Sequence, residues 1–214
     1  MLHTRAALAL LVLGCGAFAA LAADLLLHGP VTAADAGVSQ WLYRNAGAAF
    51  TALMVAISAV HGTWPLLAMA AAAALALWRR RQHAWAAALV LCVPGGMLLN
   101  YAVKHTFQRA RPAIDGATDI ASYSFPSGHA AGATVWWGFV LVWWFAHRAD
   151  ARTRVAGAAL AVAVAMVLLT ALSRVYLGVH SLSDVLAAIG EGAAWLALCF
   201  MVLARRPRRR AAAS

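Results

Sequence analysis

The chain has 214 residues, of which 64% are hydrophobic and 11% charged, with a net charge of +10. A soluble domain carries about 25% charged residues, so this composition excludes an ordinary soluble globular protein and points to a membrane one. The seventeen basic residues stand in short clusters between apolar runs, which orients membrane helices and sets aside a nucleic-acid partner.

A bilayer core takes about 20 apolar residues per helix. The first run, residues 6–27, is interrupted only by Asp24. Arg5 and the small residues Ala20 to Ala22 imitate a secretory signal, but the run is too long for an ordinary signal core, and a retained first helix is expected. Next, Val38, Trp41 and Leu42 recur at i, i+3, i+4 among polar neighbours, the pattern of a helix lying in the membrane interface. Residues 46–61 form a marginal apolar run. Five further runs, 63–78, 84–103, 129–146, 155–172 and 184–204, are long and apolar enough to be read as spans.

The basic residues decide whether 46–61 crosses. With six spans, Arg5, Arg79 to Arg81, Arg148, Arg152, Arg154 and the cluster from Arg205 to Arg210 share one side, twelve of seventeen in all. A seventh crossing would leave Arg5 opposite the other eleven. The positive-inside rule therefore predicts six spans, both termini cytoplasmic, and an interfacial or re-entrant 46–61. Trp64, Trp78, Trp85, Trp143 and Trp144 fall near predicted helix ends, where aromatic belts form, whereas Trp136 and Trp137 read as lipid-facing or packing residues. Cys15, Cys92 and Cys199 lie in apolar runs without paired spacing and read as packing residues.

Several polar residues do not fit as loop filler. Lys104 and Arg111 follow the third span, and Ser127 and His129 open the fourth. Ser173 and Arg174 end the fifth, and His180 and Asp184 open the sixth. Counting spans puts all of them on the membrane face opposite the Arg clusters. Three cations beside a helix start suit a phosphate, because the helix end adds N–H donors and partial positive charge. Gly128 allows close backbone approach and Pro126 stiffens the entry to the helix. His180 and Asp184 are four apart. A helix beginning near His180 would put them on one face, with the carboxylate fixing the imidazole tautomer. His129 adds a second imidazole for acid–base work.

Other polar residues read more plainly. His3, His28, His61, His83 and His147 are taken as interfacial, His105 is ambiguous, and Arg44 and Arg109 are snorkelling anchors. Glu191 is either a functional intramembrane carboxylate or a buried structural partner, and Asn100 is placed to steady the site.

These residues form three ordered motifs. Lys104, Arg111 and Pro112 make K-x6-R-P; Pro126, Ser127, Gly128 and His129 make P-S-G-H; Ser173, Arg174, His180 and Asp184 make S-R-x5-H-x3-D. The sequence thus resembles the type 2 phosphatidic acid phosphatase superfamily of membrane lipid phosphatases. That resemblance implies His180 as the nucleophile of a phosphohistidine intermediate, Asp184 as its orienting partner, and His129 as acid and then base. It implies Lys104, Arg111, Ser127, Gly128 and Arg174 as the phosphate-binding set. Pro112, Pro126 and Ser173 support them, and neither metal nor other cofactor is required.

The expected architecture is all-α, an integral membrane bundle of six transmembrane helices with an interfacial helical segment between the first and second. Residues 1–214 form one domain, with motifs within 104–184 and a basic cytoplasmic tail at 205–214. The expected setting is a bacterial cytoplasmic membrane with the site on its outer face, acting on lipid phosphates without an obligatory protein partner. Undecaprenyl diphosphate leads by resemblance and chain length. Phosphatidylglycerophosphate, phosphatidate and lipid A phosphates remain open. A non-catalytic anion transporter and a vanadate-holding haloperoxidase are the rivals from other classes.

Overall fold

Hydrocarbon offers no partner for a backbone N–H or C=O, so a chain this apolar must satisfy those groups internally, as helices do. The computed structural model describes residues 4–45, 47–112, 122–148 and 153–204, which contain eight α-helices and no strand. In order these are α1 (Thr4–Leu26), α2 (Pro30–Arg44), α3 (Ala48–Val60), α4 (Thr63–Arg79), α5 (His83–Phe107), α6 (Gly128–His147), α7 (Thr153–Tyr176) and α8 (Leu182–Ala204). The expectations for His3, Arg152 and the tail at 205–214 lie outside the described residues.

Four helices, α1, α5, α7 and α8, are long and apolar enough to cross a bilayer. A fifth candidate is the pair α3 and α4, bent by 52° at their junction. The run 63–78 corresponds to α4, which together with α3, and so with most of 46–61, forms a broken span or a re-entrant unit. A 13-residue helix such as α3 is only about 20 Å long, too short to cross alone. α6 has the length, but four tryptophans, three glycines and two histidines dilute its apolar content. The protein is therefore a membrane-embedded, all-helical bundle with four or five candidate crossings among its described residues.

α8 runs through the middle, packed on α1, α2, α5, α6 and α7. Its path is cleared by residues without bulk. A Cβ at Gly190 would lie 2.9 Å from the Gly14 carbonyl of α1, and one at Gly192 would lie 2.9 Å from the Ala131 carbonyl of α6. Such backbone-to-backbone contact is how helices associate where lipid supplies no hydrophobic drive. In α5, Gly95 and Gly96 after Pro94 form a flat seat for the Trp195 ring of α8, whose indole N–H donates to the Cys92 carbonyl at 2.9 Å.

α2 differs from its expected orientation. Val38 and Leu42 pack against the protein, but Trp41 points outward at 65% exposure. The inward stripe is Asp35, Val38, Ser39 and Leu42, with both polar members buried. Asp24 at the end of α1 starts this helix, because its carboxylate accepts the N–H groups of Val31 (3.2 Å) and Thr32 (2.8 Å) that the first turn leaves free.

Candidate active site

α5 runs one turn beyond its apolar stretch, to Phe107, and so carries Lys104 in its last turn. The chain then passes through Gln108 in the left-handed region, φ 50°, to Arg109 and Arg111. Lys104 Nζ donates to the Tyr123 carbonyl at 2.8 Å. Arg111 holds the Ser122 carbonyl and hydroxyl at 3.0 and 2.7 Å and the Val179 carbonyl at 2.6 Å. The basic residues of the first motif thereby tie the approach to α6 to the turn before α8.

Pro126 is fully buried. Ser127 is the N-cap of α6, yet its side chain makes no capping bond. Its buried Oγ has no hydrogen-bond partner among the described residues. Its N–H donates to the Asp184 carbonyl at 3.1 Å, joining the second motif to the third. At Gly128 a Cβ would come within 3.1 Å of Asn100 Oδ1, a tight contact that would require the Asn100 side chain to shift. The first N–H groups of α6 open, with Gly128 and His129, onto a cavity of about 380 Å³. Lys104, Arg111, Arg174 and His180 line the same cavity, and Gly96, Met97 and Gly132 form its apolar depth. Six of the predicted site residues thus meet around one space. Asp184 lies directly behind His180, and Ser173 is buried with its hydroxyl on the Thr170 carbonyl at 2.7 Å.

The His180–Asp184 pair forms differently from the sequence expectation. α8 begins at Leu182, so His180 sits in the turn before it and the two residues are not stacked on one helix face. That turn is shaped by Gly178, φ 69°, and by the N–H groups of Val179 and His180, which both reach the Arg174 carbonyl at 3.2 Å. Asp184, third residue of α8, accepts the Ser181 N–H at 2.9 Å. This is the back-reaching half of a capping box, legible as S-x-x-D. The same Oδ2 faces His180 Nδ1 at 3.4 Å. His180 Nε2 then points toward Arg111 Nη1, 3.4 Å away.

Burial pushes the His180 imidazole down to about 4, against the pull of Asp184 and with help from Lys104 and Arg111. It is therefore neutral near pH 7, with a free nitrogen lone pair facing the cations. Burial also lowers the Arg111 guanidinium, which Asp184 partly offsets.

Several neighbours of this cavity differ from the sequence expectation. Arg109, expected as a snorkelling anchor, instead bridges Asp184 at 2.6 Å and Asp35 at 2.9 Å. Burial opposes its charge, but those two carboxylates hold it above its ordinary value. His61, expected at the interface, is 2% exposed and lines the cavity. Its Nδ1 faces the Ile57 carbonyl at 2.9 Å and its Nε2 accepts the Trp137 indole N–H at 3.0 Å. Both ring nitrogens thus have partners within the protein. The indole bond fixes Trp137, read from sequence as a lipid-facing or packing residue, against the end of α3. Ser58 of α3 accepts from Arg174 Nη1 and aims that guanidinium, whose buried Nε has no partner among the described residues. Asn100 Nδ2 donates to Glu191 Oε2 at 2.8 Å, which gives Glu191 a structural partner beneath the site.

Comparison with known proteins agrees on the architecture. Phosphatidylglycerophosphatase B of Bacillus subtilis (strain 168) is 33% identical over 119 residues, covering 55% of this chain and 57% of that protein. The chain thus aligns with little more than half the length of this curated relative. The crystal structure of a transmembrane PAP2 type phosphatidylglycerolphosphate phosphatase from Bacillus subtilis superposes with a TM-score of 0.77. It covers 95% of this chain and 98% of that one at 22% identity, a likeness of fold. The family profile described as PAP2 superfamily matches residues 83–208, more than half of the sequence and all three motifs, and the chain belongs to the PAP2 superfamily.

Proposed function

We propose that this protein is a membrane lipid phosphatase working through a phosphohistidine. The observation that carries the reading is that His180, His129, Lys104, Arg111 and Arg174 line one cavity, with a carboxylate behind the His180 imidazole. A carboxylate that accepts from Nδ1 leaves Nε2 free to attack phosphorus. As the N–P bond forms, the bond from phosphorus to the lipid oxygen breaks, and protonated His129 gives that oxygen its proton. His129 then takes a proton from water as the water displaces His180 from phosphorus, releasing inorganic phosphate. Lys104, Arg111, Arg174, the Ser127 hydroxyl and the α6 N–H groups stabilise charge on the equatorial oxygens. The route uses no metal.

The finer topology belongs to the same proposal: one domain, six crossings with α6 and the α3–α4 pair each counted as one, cytoplasmic termini, and a site at the outer face of a bacterial inner membrane. Phosphatidylglycerophosphate gains support as substrate from the name of the Bacillus relative. Undecaprenyl diphosphate, which leads at the sequence level, is the second arm of the test, followed by phosphatidate and lipid A phosphates. Release of inorganic phosphate from each lipid by the detergent-purified full chain is the assay, with His180→Ala beside it. Turnover by the wild type, inhibition by vanadate and none by the variant are expected. Full activity in His180→Ala removes the mechanism, and absence of phosphate release throughout favours an anion transporter.

A further inference from the structure

Asp35 is outside every motif and comes from α2, far from the reacting residues in sequence. Yet it is 5% exposed and fully engaged. Its Oδ1 accepts the Ser183 N–H at 2.9 Å, and its Oδ2 accepts the Ser183 hydroxyl and Arg109 Nη2, the latter at 2.9 Å. Arg109 Nη1 in turn donates to Ser183 Oγ at 2.7 Å and to Asp184 Oδ1 at 2.6 Å. Asp184 is completely buried, and its other oxygen carries Ser181 N–H and faces His180.

Buried charges persist only when paired and hydrogen-bonded. Here one guanidinium sits between two carboxylates, and the outer carboxylate also grips the first turn of the helix that bears the inner one. Neither oxygen of Asp184 can rotate away from its partners while this arrangement lasts. Without the charge of Asp35, Arg109 would keep one carboxylate partner and Nη2 would lose its charged acceptor. The guanidinium would then be free to reorient and would no longer hold Asp184 Oδ1 in its present plane.

We infer that Asp35 is a positioning residue which, through Arg109 and Ser183, fixes the orientation of the Asp184 carboxylate and hence of the His180 imidazole. This rests on the proposed role of His180 for its effect on turnover, but not for its effect on the imidazole itself. Asp35 touches no substrate. Its loss should reach the chemical step while leaving phosphate capture by Lys104, Arg111 and Arg174 in place.

The test uses Asp35→Asn, which keeps an acceptor for the Ser183 N–H and removes the charge, and Ser183→Ala, which trims the same network more gently. In the detergent-purified full chain, Asp35→Asn is expected to lower kcat by about 10- to 100-fold, the range carried by outer partners of an oriented imidazole. KM should stay within about twofold, as for an interaction felt beyond substrate binding. Ser183→Ala should move kcat in the same direction by less. A second readout is the nitrogen-15 spectrum of histidine-labelled protein, with the His180 signals assigned by their loss in His180→Gln. The wild type should show one tautomer, protonated at Nδ1, and Asp35→Asn a mixture.

An Asp35→Asn chain with wild-type kcat or an unchanged single tautomer overturns the inference. So does a variant whose kcat and KM decline together with its melting temperature while Ser183→Ala is silent, because that is a general packing defect. If the wild type releases no phosphate from any lipid, the proposed function is refuted, and the tautomer spectrum alone still judges Asp35.

Discussion

Asp184→Asn separates charge from shape at the centre of the site. His180 begins neutral and gains positive character as its Nε2 bonds to phosphorus, so the nearby carboxylate acts more strongly in the transition state than in the ground state. At the observed 3.4 Å, an effective dielectric of ~20 gives about 5 kcal/mol for a full unit of charge. Arg109, at 2.6 Å on the other oxygen, offsets part of that field. A differential loss of about 3–4 kcal/mol remains, or roughly 10²–10³-fold in kcat. Initial rates of phosphate release across substrate concentration separate kcat from KM, and a melting curve checks that the bundle survives. A properly folded Asp184→Asn chain with kcat within about threefold of wild type would refute this electrostatic account.

Other consequences are direct. Ser127→Ala should leave the melting temperature unchanged, because Oγ has no partner among the described residues, yet raise KM for the lipid phosphate several-fold; a large loss of stability with unchanged KM would contradict it. The His180 value of about 4 fixes the acid side of the pH profile. A depressed imidazole stays unprotonated as pH falls from 7, so its contribution to the acid limb of kcat/KM should begin only near pH 4 to 5, and a limb set by His180 near pH 6.5 would oppose it. His61→Phe strands the Trp137 N–H in the bundle at a cost of about 1–3 kcal/mol, read as a lower melting temperature; unchanged stability would show that the bond is dispensable.

The residues that were readable from sequence are those whose neighbours are close in the chain or fall into fixed spacings. Lys104, Arg111, Gly128, His129, Arg174 and His180 line one cavity, with Asp184 behind His180. The Ser181–Asp184 cap spacing contained the information needed to move His180 off the helix. The unread residues act at long range. Asp35 meets Ser183 across 148 residues, and Ser58 meets Arg174 across 116. Periodicity marks the Val38, Trp41 and Leu42 stripe of α2, of which Val38 and Leu42 pack inward; it gives no sign that Asp35 is buried beside them, because a buried acid is costly unless its partners are known. Arg109 looked like one more cation at a span end, and only the two carboxylates around it distinguish it from an anchor. The α3–α4 bend escaped because each apolar run was weighed separately.

The stripe of α8 that faces α1 and α6 is built largely from glycine and alanine. With no side chains to re-pack, that stripe cannot absorb a change by shuffling rotamers. Any added bulk would have to displace the whole rod, and its first turn would carry Asp184 with it. Sequence drift should therefore be far better tolerated on the lipid-facing side of this helix than on its inner edge. An inward methyl group two turns below the site would be felt as a loss of alignment at its tip.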